Sequence, residues 1–392
     1  AHLAGLQLPG VPEFVRPNSR VAAHPYPLAA DESLKLRGQI LADGTAQDAL
    51  SAIDRYFTLY GVPQPNPLPR GAYEDEIAFS MQAYFDALWE PDTREWWTSK
   101  RGHPIMAHKA RPRNYIADLL LGAQLSPTAD LRLRARRFAE EMAAEIGVPA
   151  RIDALRVGGR GPLAAADPSR AAGLLAQRGE DGLWRFDADH KDTGVFEGID
   201  YHVLGPDEAV ALGTCADKAR TVMRYVLLAG DRQAYTMLEP VLERMTEFDV
   251  PRAAQVWEVP FHSPDVLAAA YAVDAFVDAY RFTGAEHWLD AAVKWGRKGL
   301  PFIYFWQTED KPYMLGASIP VFGATFYRHS WFGRPVQWNG LRYANALLEL
   351  DQHDDTYPWR QIATMIIHSA AYQQAEEGED VESYLMLTEL DP

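Results

Sequence analysis

The stretch Thr283-Gly284-Ala285-Glu286-His287-Trp288-Leu289 lies between two helical patterns and decides how this part of the chain folds. Before it, apolar residues recur at alternating spacings of four and three, the period of a helix that buries one face. These residues are Val266, Ala270, Val273, Val277 and Tyr280. After the break at Gly284, a second stripe contains Trp288, Ala292 and Trp295. Two helices joined by so short a connection lie antiparallel, so the sequence predicts a helical hairpin.

The same pattern recurs elsewhere in the chain. Pairs of apolar stripes span 115–146, 215–245 and 341–372, and each pair is divided by a short polar or glycine-containing break. The breaks are Ser126-Pro127-Thr128, Gly230-Asp231 and Gln352-His353-Asp354-Asp355. Recurring units of this kind, spaced tens of residues apart, indicate a repeat architecture. The sequence therefore predicts an all-α fold with about ten helices in five hairpins, before the short segment 169–177 is counted.

Composition and charge narrow the class of protein. The chain has 392 residues, of which 47% are hydrophobic and 11% aromatic, enough for an extensive core. No run of 18 apolar residues occurs, so we expect no membrane insertion. A formal net charge of -16 argues against a nucleic-acid partner and an anionic membrane surface, because both would repel the chain. An acidic polysaccharide stays possible, since a local basic patch can override the overall charge.

The only cysteine and the first residues bear on the cellular location. Cys215 lies on an apolar helical stripe, so we expect a buried structural thiol rather than a nucleophile or metal ligand. The chain begins at Ala1 without an initiator Met, and its first residues lack the basic-then-apolar pattern of a signal peptide. We expect a processed protein exported to the periplasm or the extracellular space. A trimmed sequence or a cytoplasmic protein would begin in the same way.

Proline sets the N-terminal region apart. Nine of the 27 prolines fall within residues 1–70, and four of them alternate along 63–69. Such a segment is extended rather than helical, although 46–60 can form one short helix. We therefore expect an N-terminal wrap over 1–70 that carries this helix. The helical hairpin domain then occupies 71–392, and its first hairpin is completed by 73–89.

A resemblance to a known superfamily rests on three segments. These are Gly182-Leu183-Trp184-Arg185-Phe186, the helix from Ala211-Leu212-Gly213 to Gly230-Asp231, and Tyr280-Arg281-Phe282-Thr283-Gly284 followed by Trp288-Leu289-Asp290-Ala291-Ala292. Over roughly 181–374, the chain resembles the six-hairpin glycosidase-like superfamily of glycoside hydrolases and polysaccharide lyases. The resemblance implies an (α/α)n toroid, either a closed (α/α)6 form or an incomplete version. It also implies a substrate cleft formed by loops at one end of the toroid.

The segment 300–338 is crowded with aromatic rings beside polar side chains. Sugars present apolar CH faces flanked by hydroxyls, so flat rings with nearby hydrogen-bonding groups suit them. Any single ring is also explained by core packing. The segment as a whole predicts a glycan-binding region. Its candidate binding residues are Tyr304, Trp306, Arg328, His329, Trp331, Trp338 and Asn339.

Glycoside hydrolysis takes two acidic groups, one to protonate the leaving oxygen and one to activate water or attack. The best candidate acid is Glu258, in the inter-hairpin segment Trp257-Glu258-Val259-Pro260-Phe261-His262. Trp257 would limit the solvation of Glu258, which raises the pKa of a carboxylic acid and keeps it protonated. Trp257 and His262 are also candidate substrate-binding residues. Glu197 or Asp200 would supply the second carboxylate. The alternative role for Glu258 is a pair with an arginine such as Arg252, or a helix cap.

Two other functions stay open. A polysaccharide lyase would use Tyr201 and His202 to remove the C5 proton of a uronate, with Arg328, His329 and Asn339 holding its carboxylate. A noncatalytic glycan-binding or assembly protein would use the rings alone. We place a glycoside hydrolase acting on an oligo- or polysaccharide first, because acidic and aromatic residues fall in loops that the resemblance puts at one end.

Metal and cofactor signals are weak. Asp187, Asp189 and Asp192 are close in sequence but lack the Gly and terminal Glu of an EF-hand loop. No paired-cysteine or His-x-x-x-His zinc pattern occurs. We therefore expect no required metal and no cofactor. The sugar, its linkage and the oligomeric state stay open.

Overall fold

The computed structural model describes residues 29–33, 35, 42, 44–46, 48–97, 109–148, 150, 167–191, 197–257, 259–323 and 336–374. The first helices are α1 (Ser51–Tyr60), α2 (Tyr73–Gln82, continued by a π turn over Ala83–Ala87), α3 (Arg113–Leu125), α4 (Ala129–Ile146) and α5 (Pro168–Ala176). They are followed by α6 (Leu212–Ala229), α7 (Arg232–Glu247), α8 (Val266–Thr283), α9 (Glu286–Gly299), α10 (Gln337–Leu350) and α11 (Trp359–Tyr372). Three short strands are β1 (Trp89–Glu90), β2 (Glu95–Trp97) and β3 (Lys109–Ala110).

The predicted hairpin breaks end one helix and start the next. Gly230 ends α6 with a φ of 68°, and Gly284 ends α8 with a φ of 71°, a left-handed conformation that glycine adopts without strain. Asp231 then accepts a hydrogen bond from the Ala234 N–H at 2.9 Å and caps α7. The pairs α3–α4, α6–α7, α8–α9 and α10–α11 are therefore hairpins, and the prediction of a helical hairpin fold is confirmed.

The last three hairpins form two layers. Helix α8 contacts α6 on one side and α10 on the other, and each of the three packs against its own hairpin partner. Phe276 of α8 stacks on Trp288 of α9, with ring centroids 5.6 Å apart. Helices α6, α8 and α10 thus form an inner layer, and α7, α9 and α11 an outer one. This is the arrangement of an α/α toroid, as predicted.

A second core lies nearer the N-terminus. Apolar side chains of α2, α3, α4 and β2 form a buried cluster separate from the cluster of α5 to α11. The strands form an antiparallel meander in which Trp96 lies opposite Trp89 on one side and Ala110 on the other. Trp96 is fully buried, and its Nε1–H donates to the Tyr84 carbonyl oxygen at 3.0 Å. The meander therefore closes one face of the α2–α3–α4 cluster.

The segment from α1 to the start of α2 lies against the outer layer. The predicted helix within 46–60 forms over Ser51–Tyr60. Gln361 of α11 donates through Nε2 to the Val62 and Pro63 carbonyl oxygens at 3.0 and 2.8 Å. Arg297 of α9 pairs with Asp54 of α1. The division of the chain at residue 70 stays a prediction. Among the described helices, none is long and apolar enough to cross a membrane.

Candidate functional site

The inner helices α6, α8 and α10 begin at one end of the two layers, and the segment 251–257 crosses that end. Asp265 caps α8 by accepting from the Ala268 N–H at 2.7 Å, and its other oxygen accepts from the Ala254 N–H at 3.0 Å. The Gly213 N–H of α6 donates to the Arg252 carbonyl oxygen at 2.9 Å. The segment is therefore tied to two helix ends.

The third inner helix is tied to the same segment. Asn339 in the first turn of α10 donates through Nδ2 to Gln255 Oε1 at 2.7 Å, and both side chains are buried. At Gly213, an added Cβ would lie 2.2 Å from the Ala254 backbone nitrogen. Ala253 has a φ of 67°, a left-handed conformation that is costly for a residue with a side chain. The segment is thus held in one defined path.

Two tryptophans lie at the edge of this end. Trp257 follows the tied segment, and Trp338 lies in the first turn of α10. Their rings stack with centroids 6.4 Å apart and an interplanar angle of 30°, and both are partly exposed. We call Trp257 and Trp338 the rim pair. A pair of flat, partly exposed rings of this kind offers a stacking surface.

Below the rim pair, charged residues line the side of the inner helices that faces away from the outer layer. Phe276 points from α8 toward α9, whereas Asp274 and Asp278 lie on the opposite face of the same helix and meet arginines of α10 and α6. We call this surface the inner wall. Its residues are Asp217, Arg220 and Arg224 of α6, Tyr271, Asp274, Asp278 and Arg281 of α8, and Arg342 and Glu349 of α10.

Ion pairs join the three helices across the inner wall. Arg224 Nε lies 2.9 Å from Asp278 Oδ2, and Arg342 pairs with Asp274. Arg281 Nη1 lies 2.7 Å from Glu349 Oε2. These ion pairs link α6 to α8 and α8 to α10.

Tyr271 lies between Arg220 of α6 and Arg342 of α10, in the half of α8 that is nearer the rim pair. The guanidinium of Arg220 lies 4.1 Å from the centroid of its ring, and that of Arg342 lies 5.7 Å away. Burial raises the pKa of Tyr271, so its hydroxyl stays protonated at neutral pH. Burial acts to lower the pKa of Arg220, but Asp217, Tyr271 and Asp274 outweigh it and raise that pKa. The wall therefore presents charged guanidinium groups and a neutral phenol.

The predicted residues of the 197–202 cluster have different surroundings. Glu197 and Asp200 are exposed, and Asp200 accepts from the His202 N–H at 3.1 Å. His202 is exposed and its Nε2 lies 3.1 Å from Asp189 Oδ1. Tyr201 is buried, packed in a cluster with Phe186, Leu204 and Phe261. This placement keeps the Tyr201 ring away from solvent and does not favour its use as a base.

The two catalytic segments predicted from the sequence contact each other. The Phe261 N–H donates to the Leu204 carbonyl oxygen at 2.7 Å, which joins the 251–265 segment to the 197–211 segment. His262 is exposed, with its ring edge-on to Phe261 at 5.4 Å. Glu258, Arg328, His329 and Trp331 lie outside the described residues, and their roles stay predictions.

The aromatic residues of 300–338 divide between packing and exposure. Phe302 is buried, and Phe305 packs edge-on against Phe57 of α1 at 4.9 Å. Trp306 is 54% exposed, with Tyr304 edge-on at 5.7 Å. Asn339 is buried and supports the 251–257 segment. Trp306 is thus the most exposed of the described rings in this segment, and Tyr304 and Trp338 are partly exposed.

Sequence reasoning missed the inner wall. Asp274 and Asp278 are spaced by four in a helix that is otherwise almost entirely apolar, Val266–Thr283. Charges at that spacing share one face, and a buried charge requires a partner. This signal was available in the sequence, but its arginine partners lie on other helices and have no local signature. Among the described residues, no group of three or more His, Cys, Asp or Glu side chains is placed to hold a metal ion.

Comparison with known proteins gives distant structural matches. No protein-family model and no curated protein matches the chain. Among solved structures, an unsaturated glucuronyl hydrolase from Streptococcus agalactiae matches with a TM-score of 0.47 and 8% identity, covering 84% of this chain and 91% of that one. An unsaturated glucuronyl hydrolase from Bacillus sp. GL1 matches with a TM-score of 0.43 and 12% identity, covering 77% and 85%.

A third match is an unsaturated glucuronyl hydrolase specific for heparin, with a TM-score of 0.45 and 14% identity, covering 76% of this chain and 83% of that one. These proteins have the six-hairpin glycosidase-like α/α toroid fold, the fold that the sequence resemblance implies.

Proposed function

We propose that this chain is a carbohydrate-active enzyme, and specifically a glycoside hydrolase that acts on an oligo- or polysaccharide. The observation that supports this best is the stacked rim pair, Trp257 and Trp338, above an inner wall where partly exposed arginines and Tyr271 are backed by buried carboxylates. A sugar ring has apolar faces for the tryptophans and hydroxyls for the charged side chains. A site of this composition suits a glycan better than a lipid or a nucleic acid.

The proposed chemistry uses carboxylates in the two joined segments. Glu258 directly follows Trp257 and would protonate the leaving glycosidic oxygen. Glu197 or Asp200 would activate the attacking water or serve as the nucleophile. The contact between Phe261 and Leu204 supports this assignment, because it joins the segments that carry these residues.

A lyase is the second candidate function, but among the described residues no contact favours it over hydrolysis. Its proposed Tyr201 is buried, and its proposed His202 pairs with Asp189. A noncatalytic glycan-binding protein would use the same rim pair without turnover. Product analysis distinguishes both alternatives from hydrolysis.

The experiment incubates the protein with a panel of polysaccharides and aryl glycosides and measures both new reducing ends and ultraviolet absorbance. Hydrolysis gives reducing ends without absorbance, whereas a lyase gives an absorbing unsaturated product. Trp338→Ala should lower kcat/KM by between about two- and tenfold, since an aromatic contact contributes about 0.5–1.5 kcal/mol. Glu258→Gln should abolish hydrolysis and retain binding.

The matched control is Tyr60→Ala, which removes an exposed aromatic ring from α1, away from the rim pair. It should leave turnover unchanged. The proposal fails if no glycan in the panel is cleaved or bound. It also fails in its hydrolytic form if the product absorbs in the ultraviolet, or if glycan binds without turnover.

A further inference from the structure

The charges of the inner wall balance. Among its described residues are four arginines and four carboxylates, and each arginine is paired. The pairs are Arg220–Asp217, Arg224–Asp278, Arg281–Glu349 and Arg342–Asp274. The wall therefore presents many hydrogen-bonding groups with no formal net charge.

Burial differs between the two members of the central pairs. Side chains of Asp274 and Asp278 are 1–2% exposed, whereas the four arginine side chains are 14–22% exposed. The buried carboxylates thus lie behind the guanidinium groups and orient them. A guanidinium has five N–H donors in a rigid planar arrangement, so a paired arginine still has donors for a ligand at its exposed edge.

We propose that the inner wall binds a neutral, hydroxyl-rich sugar ring and disfavours a uronate at the same position. This inference rests on the proposed function and adds the substrate class. A sugar hydroxyl both donates and accepts, so it can donate to Asp217 while it accepts from Arg220. Neighbouring hydroxyls of one ring match the alternation of acceptors and donors along the wall.

A sugar carboxylate at this position lacks a compensating charge. A carboxylate loses favourable hydration when it leaves water, and an arginine already neutralised by Asp274 or Asp217 offsets little of that loss. The overall charge of -16 adds long-range repulsion for an anionic ligand. A local basic patch could offset this repulsion, but the described wall is not such a patch.

The test measures binding of neutral gluco-, manno- and xylo-oligosaccharides, and of uronate-containing oligosaccharides of the same lengths, by calorimetry on the full chain. The expected result is at least tenfold tighter binding of a neutral series. Asp274→Asn leaves Arg342 without its carboxylate and gives the wall one net positive charge. It should therefore shift the preference toward uronates by about tenfold.

Asp217→Asn repeats this test at a carboxylate whose side chain is 52% exposed. If the variant at the buried Asp274 does not fold, the preference can still be measured with Asp217→Asn. The control is Glu247→Gln, which removes the exposed partner of Arg244 on α7 and should leave the preference unchanged. A purely structural role of the wall would lower all affinities together without changing the ratio.

Tighter binding of uronates by the unmodified protein overturns this inference and leaves the proposed function in place. An unchanged neutral-to-uronate ratio in both Asp274→Asn and Asp217→Asn also overturns it. If neither series binds and none is cleaved, both proposals fail.

Discussion

Asp118 shows how a single carboxyl can make stability depend on pH. It lies on α3 and accepts a hydrogen bond from the Tyr84 hydroxyl at 2.9 Å. Burial raises the pKa of Asp118 from 3.8 to about 6, although the Tyr84 hydrogen bond acts in the opposite direction. Since the folded pKa lies above the unfolded one, the protonated acid stabilises the fold fully below pH 3.8. That contribution is lost as the pH rises through 6.

We therefore expect Asp118→Asn to remove this pH dependence while the amide oxygen keeps the Tyr84 hydrogen bond. Between about pH 4 and pH 7, the unfolding free energy of the unmodified protein should fall relative to the variant by up to about 3 kcal/mol. Urea unfolding at a series of pH values measures the difference. The control is Asp92→Asn in the exposed turn between β1 and β2. A constant offset between the two unfolding curves would contradict the assignment.

Gly213 lies in the first turn of α6, where the 251–257 segment passes close to the helix. A Cβ added there would lie 2.2 Å from the Ala254 nitrogen and 2.3 Å from the Ala253 carbonyl carbon. Because these are backbone atoms held by Asp265, they cannot move aside as a flexible side chain would. We expect Gly213→Ala to lower the unfolding free energy by about 2–3 kcal/mol, measured by chemical denaturation.

The same substitution in α5 provides the control. Nothing lies within 4 Å of a Cβ added at Gly173, so Gly173→Ala should leave stability unchanged or raise it by up to about 1 kcal/mol. If both substitutions changed the unfolding free energy by the same amount, helix propensity would explain the change. The close approach of the 251–257 segment to Gly213 would then not be its cause.

The helices were predictable from the sequence because their signals are local. The period of apolar residues predicted α8, and Gly284 ends that helix with its left-handed conformation. The contacts that form the candidate site were not predictable, since Gln255 and Asn339 are 84 positions apart. The local sequence pattern also does not show which aromatic rings of 300–338 face solvent. Phe302 is buried, whereas Trp306 is exposed.

The N-terminal segment is attached to the rest of the molecule by polar contacts with the outer layer and by the packing of Ile53, Phe57 and Val62 against the core cluster of α5 to α11. Asp54 of α1 pairs with Arg297 of α9 and accepts from the Tyr357 hydroxyl. Gln361 donates to two consecutive carbonyl oxygens, those of Val62 and Pro63. These polar contacts are with the outer layer, so this segment is expected to open independently of the inner helices.

Gln361→Leu tests this independence, because leucine has a similar size but donates no hydrogen bond. Both carbonyl oxygens then lose a partner, which costs about 1–2 kcal/mol locally. Amide hydrogen exchange of Ser51–Tyr60 should accelerate by roughly tenfold, while exchange of Val266–Thr283 stays unchanged. The control, Gln233→Leu on the exposed face of α7, should alter neither helix. If α1 and α8 accelerated by the same factor, the N-terminal segment and the inner layer would unfold as one unit, and α1 would belong to the cooperative core of the toroid.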